Sequence, residues 1–352
     1  MSNKTRVYLI LVGILLCTSH VRAERAGDCE ILFSGHLADA QRELDQADAA
    51  VDGRLGACVG TGGRLACNRG QERFAMQSVI KLLVAVAMFR QVDRGEIALD
   101  DKVTVSRSDI SVGIQPLAKV LETKPEVTLD VRELIKRMLT ESDSTATDVL
   151  IARLGGTREV QRILEGLELT GMRIDRTERE LQTEPFGLPS SLPWRGMDDY
   201  ERRIKGINPL QLEGRAEGAK DLRDTATPQG LAVMLQKIAN GTILSPASAR
   251  ELIDMLTQTR TFANRLKAGA PHGWAVAHKT GTSRTYAGVT EVTNDVGYLV
   301  APNGEKVIAV ALLAESSAPA SARAAALASV GKIAAKFYEG WSQPDLRACK
   351  AD

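Results

Sequence analysis

Ser78 and Lys81 stand three residues apart, where a strand-like segment, Phe74-Ala75-Met76-Gln77, gives way to an apolar run ending near Arg90. On a helix both side chains lie on one face, a turn apart. They sit at the end where backbone N–H groups are unpaired and the dipole is positive. A hydroxyl, an adjacent amine and backbone donors are the parts of a serine nucleophile that works without a histidine. The pair alone specifies little, because Ser329-Val330-Gly331-Lys332 repeats it inside an amphipathic stretch near the C-terminus. Three later clusters bring further chemistry: Ser142-Asp143-Ser144, Arg176-Thr177-Glu178-Arg179-Glu180-Leu181-Gln182, and His278-Lys279-Thr280-Gly281-Thr282-Ser283. Singly, each has a plainer reading as a helix cap, surface charge or the end of an edge strand.

The elements that must position these groups are read from periodicity. Leu37, Ala40 and Leu44 form the stripe of a helix over 34–49. Leu55 to Val59 and Arg64 to Cys67 read as two strands joined by the turn Thr61-Gly62-Gly63-Arg64. The helix from Ser78 closes at Gly95. Asp130 and Glu133 make a capping-box pattern opening a helix to about Thr140. Ser144–Leu154 is a second helix, ended by Gly155-Gly156, and Thr157 begins a third. Helices follow over 228–239 and 245–256. Strands over 274–280, 295–300 and 306–313, with a turn at Pro302-Asn303-Gly304, precede a last helix over 318–338. Strands near both termini with helices between them predict one antiparallel sheet built from both ends of the chain and an inserted helical domain. From Thr183 to Lys220 the chain is rich in Pro, Gly and charge and carries no long apolar period. Connections of that length are uncommon in compact domains.

Composition bounds the function classes. The chain has 352 residues, 44% apolar and 25% charged, which is globular and long enough for about two domains. Residues 1–23 read as a secretory leader: Lys4 and Arg6 precede an apolar run from Val7 to Cys17, and Val21-Arg22-Ala23 offers a cleavage site. Removing the leader takes away Lys4, Arg6 and Arg22 and no acid, so the net charge falls from +1 to −2. A near-neutral mature chain gives no argument for nucleic acid or for stable membrane association. Export implies an oxidising compartment, periplasmic or secreted. Cys58 and Cys67 fall opposite each other about the Gly62-Gly63 turn and Cys29 and Cys349 lie near the termini, so two disulfides, Cys58–Cys67 and Cys29–Cys349, are possible. Buried free thiols are the other reading of the hairpin pair. With no Cys-x-x-Cys and four scattered His, no metal site is expected.

Taken in this order on these elements, Ser78-Val79-Ile80-Lys81, Ser142-Asp143-Ser144, Glu178 to Gln182 and Lys279-Thr280-Gly281 resemble the class A serine β-lactamases among the penicillin-recognising enzymes. Asp221 to Pro228 resembles the segment that closes the family's omega loop, and the resemblance spans about residues 50–340. It implies a β-lactamase/transpeptidase-like fold, α/β plus all-α. The α/β domain would comprise 24–75 and 259–352, and the all-α domain 76–258, with an enlarged omega loop over about 176–224. It implies a monomer, without metal or organic cofactor, that hydrolyses penicillins and cephalosporins through a serine acyl-enzyme and confers resistance.

The resemblance also implies roles. Ser78 attacks the lactam carbonyl, Lys81 is one candidate base for acylation, and Ser142 passes a proton to the leaving nitrogen. Glu178 holds the hydrolytic water, assisted by Gln182. Backbone N–H groups of Ser78 and Thr282 form the oxyanion hole. Lys279, Thr280 and Thr282 bind the substrate carboxylate, and Ser144 meets the substrate side chain. Arg265 matches the guanidinium position of the branch that includes extended-spectrum enzymes, as do His278 and Asn294-Asp295.

Departures are informative. Ser144 and Asp148 stand where Asn is usual, and Arg179 where Pro is usual. A cis bond before Arg179 would cost about 2.5–4 kcal/mol, which predicts a trans bond and a rearranged loop, with Asp148 near its backbone. Gln77 and Ser283 leave no active-site disulfide. A D,D-peptidase on the same fold would share Ser78, Lys81, Ser142 and Lys279 without using Glu178, and a penicillin sensor would stay acylated.

Overall fold

The computed structural model describes residues 32–195, 197–207 and 221–343. The leader assigned to 1–23 and the pairing of Cys29 with Cys349 lie outside the described residues. In chain order, α1 (32–49) precedes β1 (Arg54–Thr61) and β2 (Arg64–Asn68). β3 (Phe74–Ala75) and a 3-10 turn over Gln77–Val79 lead into α2 (Ile80–Asp93). β4 (Lys102–Ser106), α3 (Pro116–Thr123) and β5 (Glu126–Asp130) precede α4 (Val131–Thr140), α5 (Ser144–Arg153) and α6 (Thr157–Gly166). Next come α7 (Glu178–Thr183), α8 (Met197–Ile204), β6 (Thr225–Ala226), α9 (Pro228–Ala239), α10 (Pro246–Thr257) and α11 (Leu266–Gly269). β7 (Ala275–Thr282), β8 (Thr285–Tyr286), β9 (Val289–Val300) and β10 (Lys306–Ser316) follow, and α12 (Ala320–Trp341) is the last described element.

The expected sheet is present. Its strands run β2-β1-β10-β9-β7, antiparallel throughout, with β8 added on β9. Side chains alternate between its faces. Leu55, Ala57 and Val59 pack with Val307, Ala309, Ala311 and Leu313 against α1 and α12. Cys58, Ile308, Val310 and Leu312 face the helical body. Because both faces are covered, β1 and β10 are buried along most of their lengths. Cys58 and Cys67, opposite each other across β1 and β2, are joined in a disulfide.

The helical body is organised around α2. Ile80 to Phe89 are all buried, as expected of a helix that is apolar all round, and α4, α5, α6 and α10 pack against it. This burial carries the Ser78–Lys81 end into the interior, at the junction with the sheet. The segment before Ser78 is pinned there. Phe74 and Ala75 pair with Ala226 and Thr225. Met76 N donates to Asp224 O at 3.0 Å, and Asn294 Nδ2 donates to Ala75 O and Met76 O at 2.9 and 3.2 Å.

Local readings differ from the structure in instructive places. Ser78 sits in a 3-10 turn rather than in the α-helix proper, which begins at Ile80. Asp130 caps α4 by accepting from Glu133 N at 2.7 Å, but the Glu133 side chain pairs with Arg137 at 2.8 Å instead of closing the box. The stretch expected to be irregular contains α8 and a buried aromatic cluster of Phe186, Trp194 and Tyr200. Residues 208–220 of that stretch lie outside the described residues. Among the described residues no helix is long and apolar enough to cross a membrane.

Candidate active site

Lys81 is fully buried, and its Nζ is the centre from which the site can be built. It donates to Ser78 Oγ at 2.8 Å, Ser142 O at 2.9 Å and Ser142 Oγ at 3.2 Å, and lies 3.2 Å from Glu178 Oε1. Three of the sequence clusters therefore converge on one amine. The fourth arrives from the sheet, where Lys279 Nζ donates to Ser142 Oγ at 3.0 Å. One hydroxyl thus bridges two lysines. Burial, and then the charge of Lys81, push Lys279 well below the ordinary lysine range.

Local backbone explains these placements. Ser142 joins α4 to α5 at a φ of 60°, a left-handed conformation uncommon outside Gly, Asn and Asp. Asp143, between the two serines, is occupied by backbone donors. It caps α5 through Ala146 N at 2.8 Å and accepts Leu117 N of α3 at 2.6 Å. On the sheet side, β7 runs so close to the Ser78 turn that a Cβ on Gly281 would lie 2.5 Å from Met76 O. Thr282 pairs with Thr293, while Ser283 N donates to Val292 O at 3.0 Å. Alternation along an extended strand then turns the Thr282 N–H away from β9, to the free edge of β7 beside Ser78.

Glu178 is held from several sides. Ser144 Oγ donates to Glu178 Oε2 at 2.9 Å. Asp148 accepts Glu178 N and Arg179 N at 2.7 and 3.0 Å, and Ser111 Oγ at 2.6 Å. Those amides belong to the unpaired first turn of α7, so Asp148 caps that helix from α5. Burial, opposed by the Ser111 hydrogen bond and reinforced by the charge of Glu178, pushes the Asp148 carboxyl up to about 6. Arg179 reaches back to Ser108 O and Ile110 O at 3.1 and 2.6 Å. Among the described residues no peptide bond is cis, and Asp148 lies at the loop backbone as expected. The base of the loop is tied by Asp224, which accepts Arg176 Nε at 2.5 Å and the amides of Asp175 and Arg176 at 2.7 and 3.0 Å.

Of the expected binding residues, Ser144, Gln182, Thr280 and Thr282 line one cleft of about 260 Å³, together with Ile114 and Phe262. Gln182 makes a long contact with Gln77 at 3.4 Å. Thr280 Oγ1 meets Thr261 Oγ1 at 2.7 Å. Arg265 is buried behind the cleft, with its guanidinium 2.6 Å from Thr282 Oγ1 and 3.8 Å from the Phe262 ring centroid. Burial lowers it to about 10. A larger groove, about 620 Å³, lies between α1 and α12 and contains none of the motif residues. Among the described residues no group of three or more His, Cys, Asp or Glu is placed to hold a metal ion. Sequence reasoning did not find Ser111, or Phe186, Arg284 and Tyr286 at the end of the cleft. The only available signal was the scatter of single aromatic residues through the irregular stretch.

Comparison with known proteins identifies the family. Residues 39–341 match the family described as the beta-lactamase enzyme family. A β-lactamase of Citrobacter koseri is 30% identical over 85% of this chain and 88% of its own. The extended-spectrum β-lactamase PER-1 of Pseudomonas aeruginosa is 27% identical over 76% of each chain. A solved ancestral class A β-lactamase is 31% identical, with a TM-score of 0.67 over 84% of this chain and 99% of its own. The chain belongs to the β-lactamase enzyme family, as a class A serine β-lactamase that hydrolyses β-lactams.

Proposed function

We propose that Ser78 is the nucleophile and that Lys81 frees it through a proton shared with Lys279. The observation that carries this reading is the bridge Lys81–Ser142–Lys279, with Ser142 Oγ at 3.2 and 3.0 Å from the two amines. An ammonium cannot accept the Ser78 proton, so Lys81 must first lose one. A substrate carboxylate near Lys279, Thr280 and Thr282 favours charge on Lys279. A proton then passes from Lys81 through Ser142 to Lys279, and Lys81 accepts the proton of Ser78 as Oγ bonds to the carbonyl carbon. The Ser78 and Thr282 N–H groups hold the oxyanion. As the lactam C–N bond breaks, Ser142 gives its proton to the nitrogen and is reprotonated by Lys81. Glu178, with Gln182 beside it, takes a proton from water as that water attacks the ester, and the same proton passes through Lys81, 3.2 Å from Glu178 Oε1 and 2.8 Å from Ser78 Oγ, to Ser78 as the ester C–O bond breaks. Ser144 and Arg265 bind the substrate side chain and carboxylate ends.

The same reading covers penicillins and cephalosporins as substrates and action as a monomer, since one chain supplies every group in the cleft. It places the protein in the periplasm or outside the cell, supported by the leader pattern at 1–23 and the closed Cys58–Cys67 bond. It divides the chain into 24–75 with 259–352 and an inserted 76–258. Turnover of a chromogenic cephalosporin, followed with intact mass, tests the reading. The parent protein turns over, and Ser78→Ala gains no acyl mass. A parent that stays acylated for hours would instead favour a sensor, and acylation of Ser78→Ala would remove Ser78 from its role.

A further inference from the structure

Beyond Gln182, one end of the cleft has no task in this mechanism. Gln182 and Phe186 line one side of it, and Arg284 and Tyr286 line the other. In this protein the two sides meet. The rings of Phe186 and Tyr286 stand edge-on with centroids 6.0 Å apart. Behind them, Tyr200 of α8 packs edge-on against Phe186, also at 6.0 Å. Its hydroxyl donates to Gln182 O at 3.0 Å, and the Arg284 guanidinium lies 5.3 Å from its ring centroid. Glu201, the next residue of α8, ion-pairs with Arg284.

We infer that α8 is a strap, fastened by Tyr200 and Glu201 to the β7–β8 corner, that selects β-lactams by the bulk of the substituent beside the lactam carbonyl. The inference rests on the acylation reading above. With the carbonyl at Ser78 and the carboxylate at Lys279 and Thr282, that substituent points to the remaining side, between Gln182 and Arg284. There the Phe186–Tyr286 contact closes its way out. The cleft of about 260 Å³ falls below the ~300–1,000 Å³ usual for sites that enclose a drug-sized ligand. Tyr200 and Phe186 are buried, whereas the Glu201–Arg284 pair is partly exposed. Exposed pairs are individually weak, so Glu201 is where the strap loosens without emptying a core.

The test compares two penicillins with one nucleus, one with a bare 6-amino group and one with a branched aromatic ureido side chain. Acylation of Ser78 by each is timed by intact mass, so the comparison reads even where release is slow. The parent strongly prefers the bare penicillin. Glu201→Ala keeps its rate with that compound within about threefold and gains at least tenfold with the branched one. Phe186→Ala gains more. Combining Glu201→Arg with Arg284→Glu restores the parental preference. An unchanged ratio in both single variants, or a parallel fall for both compounds, overturns the strap while leaving the acylation reading standing. Failure of both penicillins to acylate the parent sinks both readings.

Discussion

Lys81 divides the cleft into halves that are held in different ways. Toward Ser78, Ser142 and Lys279, every group sits at the end of α2, at the start of α5 or on β7, elements fixed by the two cores. Toward Glu178, position depends on a helix of six residues whose first turn is held by Asp148, 30 residues away in sequence, and by Arg179 reaching over to Ser108 and Ile110. Each hydrogen bond to a charged group is worth about 1.5–3 kcal/mol. The nucleophile half is therefore robust unless the core fails. The water-activating half can be detuned one contact at a time, and in this scheme catalysis should fail first at release of the acyl-enzyme.

The largest effect that separates the halves comes from Glu178→Ala. Loss of a general base lowers a step by about 10²–10⁴-fold, so acyl-enzyme should accumulate while acylation falls less than tenfold. Equal loss of both steps, resolved by quench and intact mass, would make Glu178 common to the two halves and break the comparison. Asp148→Ala comes next. It leaves two α7 amides unpaired and should slow deacylation by roughly 10–100-fold, following the cost of about 1.5–3 kcal/mol per charged hydrogen bond, with acylation nearly unchanged.

Asp148 also sharpens the comparison through pH. Its carboxyl is raised from 3.8 to about 6, so the folded chain holds that proton more tightly than the unfolded chain. The stability this group contributes is full below 3.8 and is lost as pH rises through about 6. Its positioning role runs the opposite way. Only the carboxylate can accept Glu178 N, Arg179 N and Ser111 Oγ together. Deacylation should fall as pH drops through about 6, without a parallel fall in melting temperature from this group. In Asp148→Asn that acid limb should disappear from the deacylation rate profile. An unchanged limb would remove Asp148 from the pH dependence.

How far the sequence could be read follows the same division. Ser78, Lys81, Ser142 and Lys279 were picked out by the resemblance of their motifs, since Ser329 and Lys332 repeat the first spacing equally well, and strands at both ends of the chain implied one antiparallel sheet but not its strand order. Glu178 was found, but α7 was not. Six residues are too few for a helical period to register; the local signal was the capping box of Thr177 and Glu180, and the cap that Asp148 lends from α5 has no local signature. β6, two residues long, is likewise invisible to alternation, whereas β3 falls inside the strand-like segment before Ser78. The stretch after Thr183 was read as irregular because Phe186, Trp194 and Tyr200 are single aromatics among Pro, Gly and charge. They gain a core only by packing on one another and on Tyr286 from a distant strand.

Arg179→Ala should have a smaller effect, a few-fold slower deacylation. Two backbone carbonyls lose a charged donor, but Asp148 still caps α7. Arg179→Lys should recover part of the loss, since an ammonium can reach one carbonyl but lacks the planar fork. Deacylation of a preformed acyl-enzyme by the three proteins would rank them, and an Arg179→Ala loss equal to that of Asp148→Ala would mean the loop is held as one unit rather than contact by contact.

The Cys58–Cys67 bond supplies the control, with the smallest effect on chemistry. It closes a loop of sequence separation 9 across β1 and β2, and none of the cleft-lining residues lies on those strands. A short loop of this kind stabilises by about 2–3 kcal/mol in the chain-entropy account. Cys58→Ala with Cys67→Ala should lower the melting temperature by several degrees. Alanine is the cleaner change because Cys58 is fully buried, and a serine hydroxyl there would lack a partner. Acylation and deacylation should both stay within about twofold, because the bond acts on the unfolded chain more than on the site. If the double variant instead changed their ratio, the sheet would be communicating with one half of the cleft, and the separation of the halves at Lys81 would have to be given up.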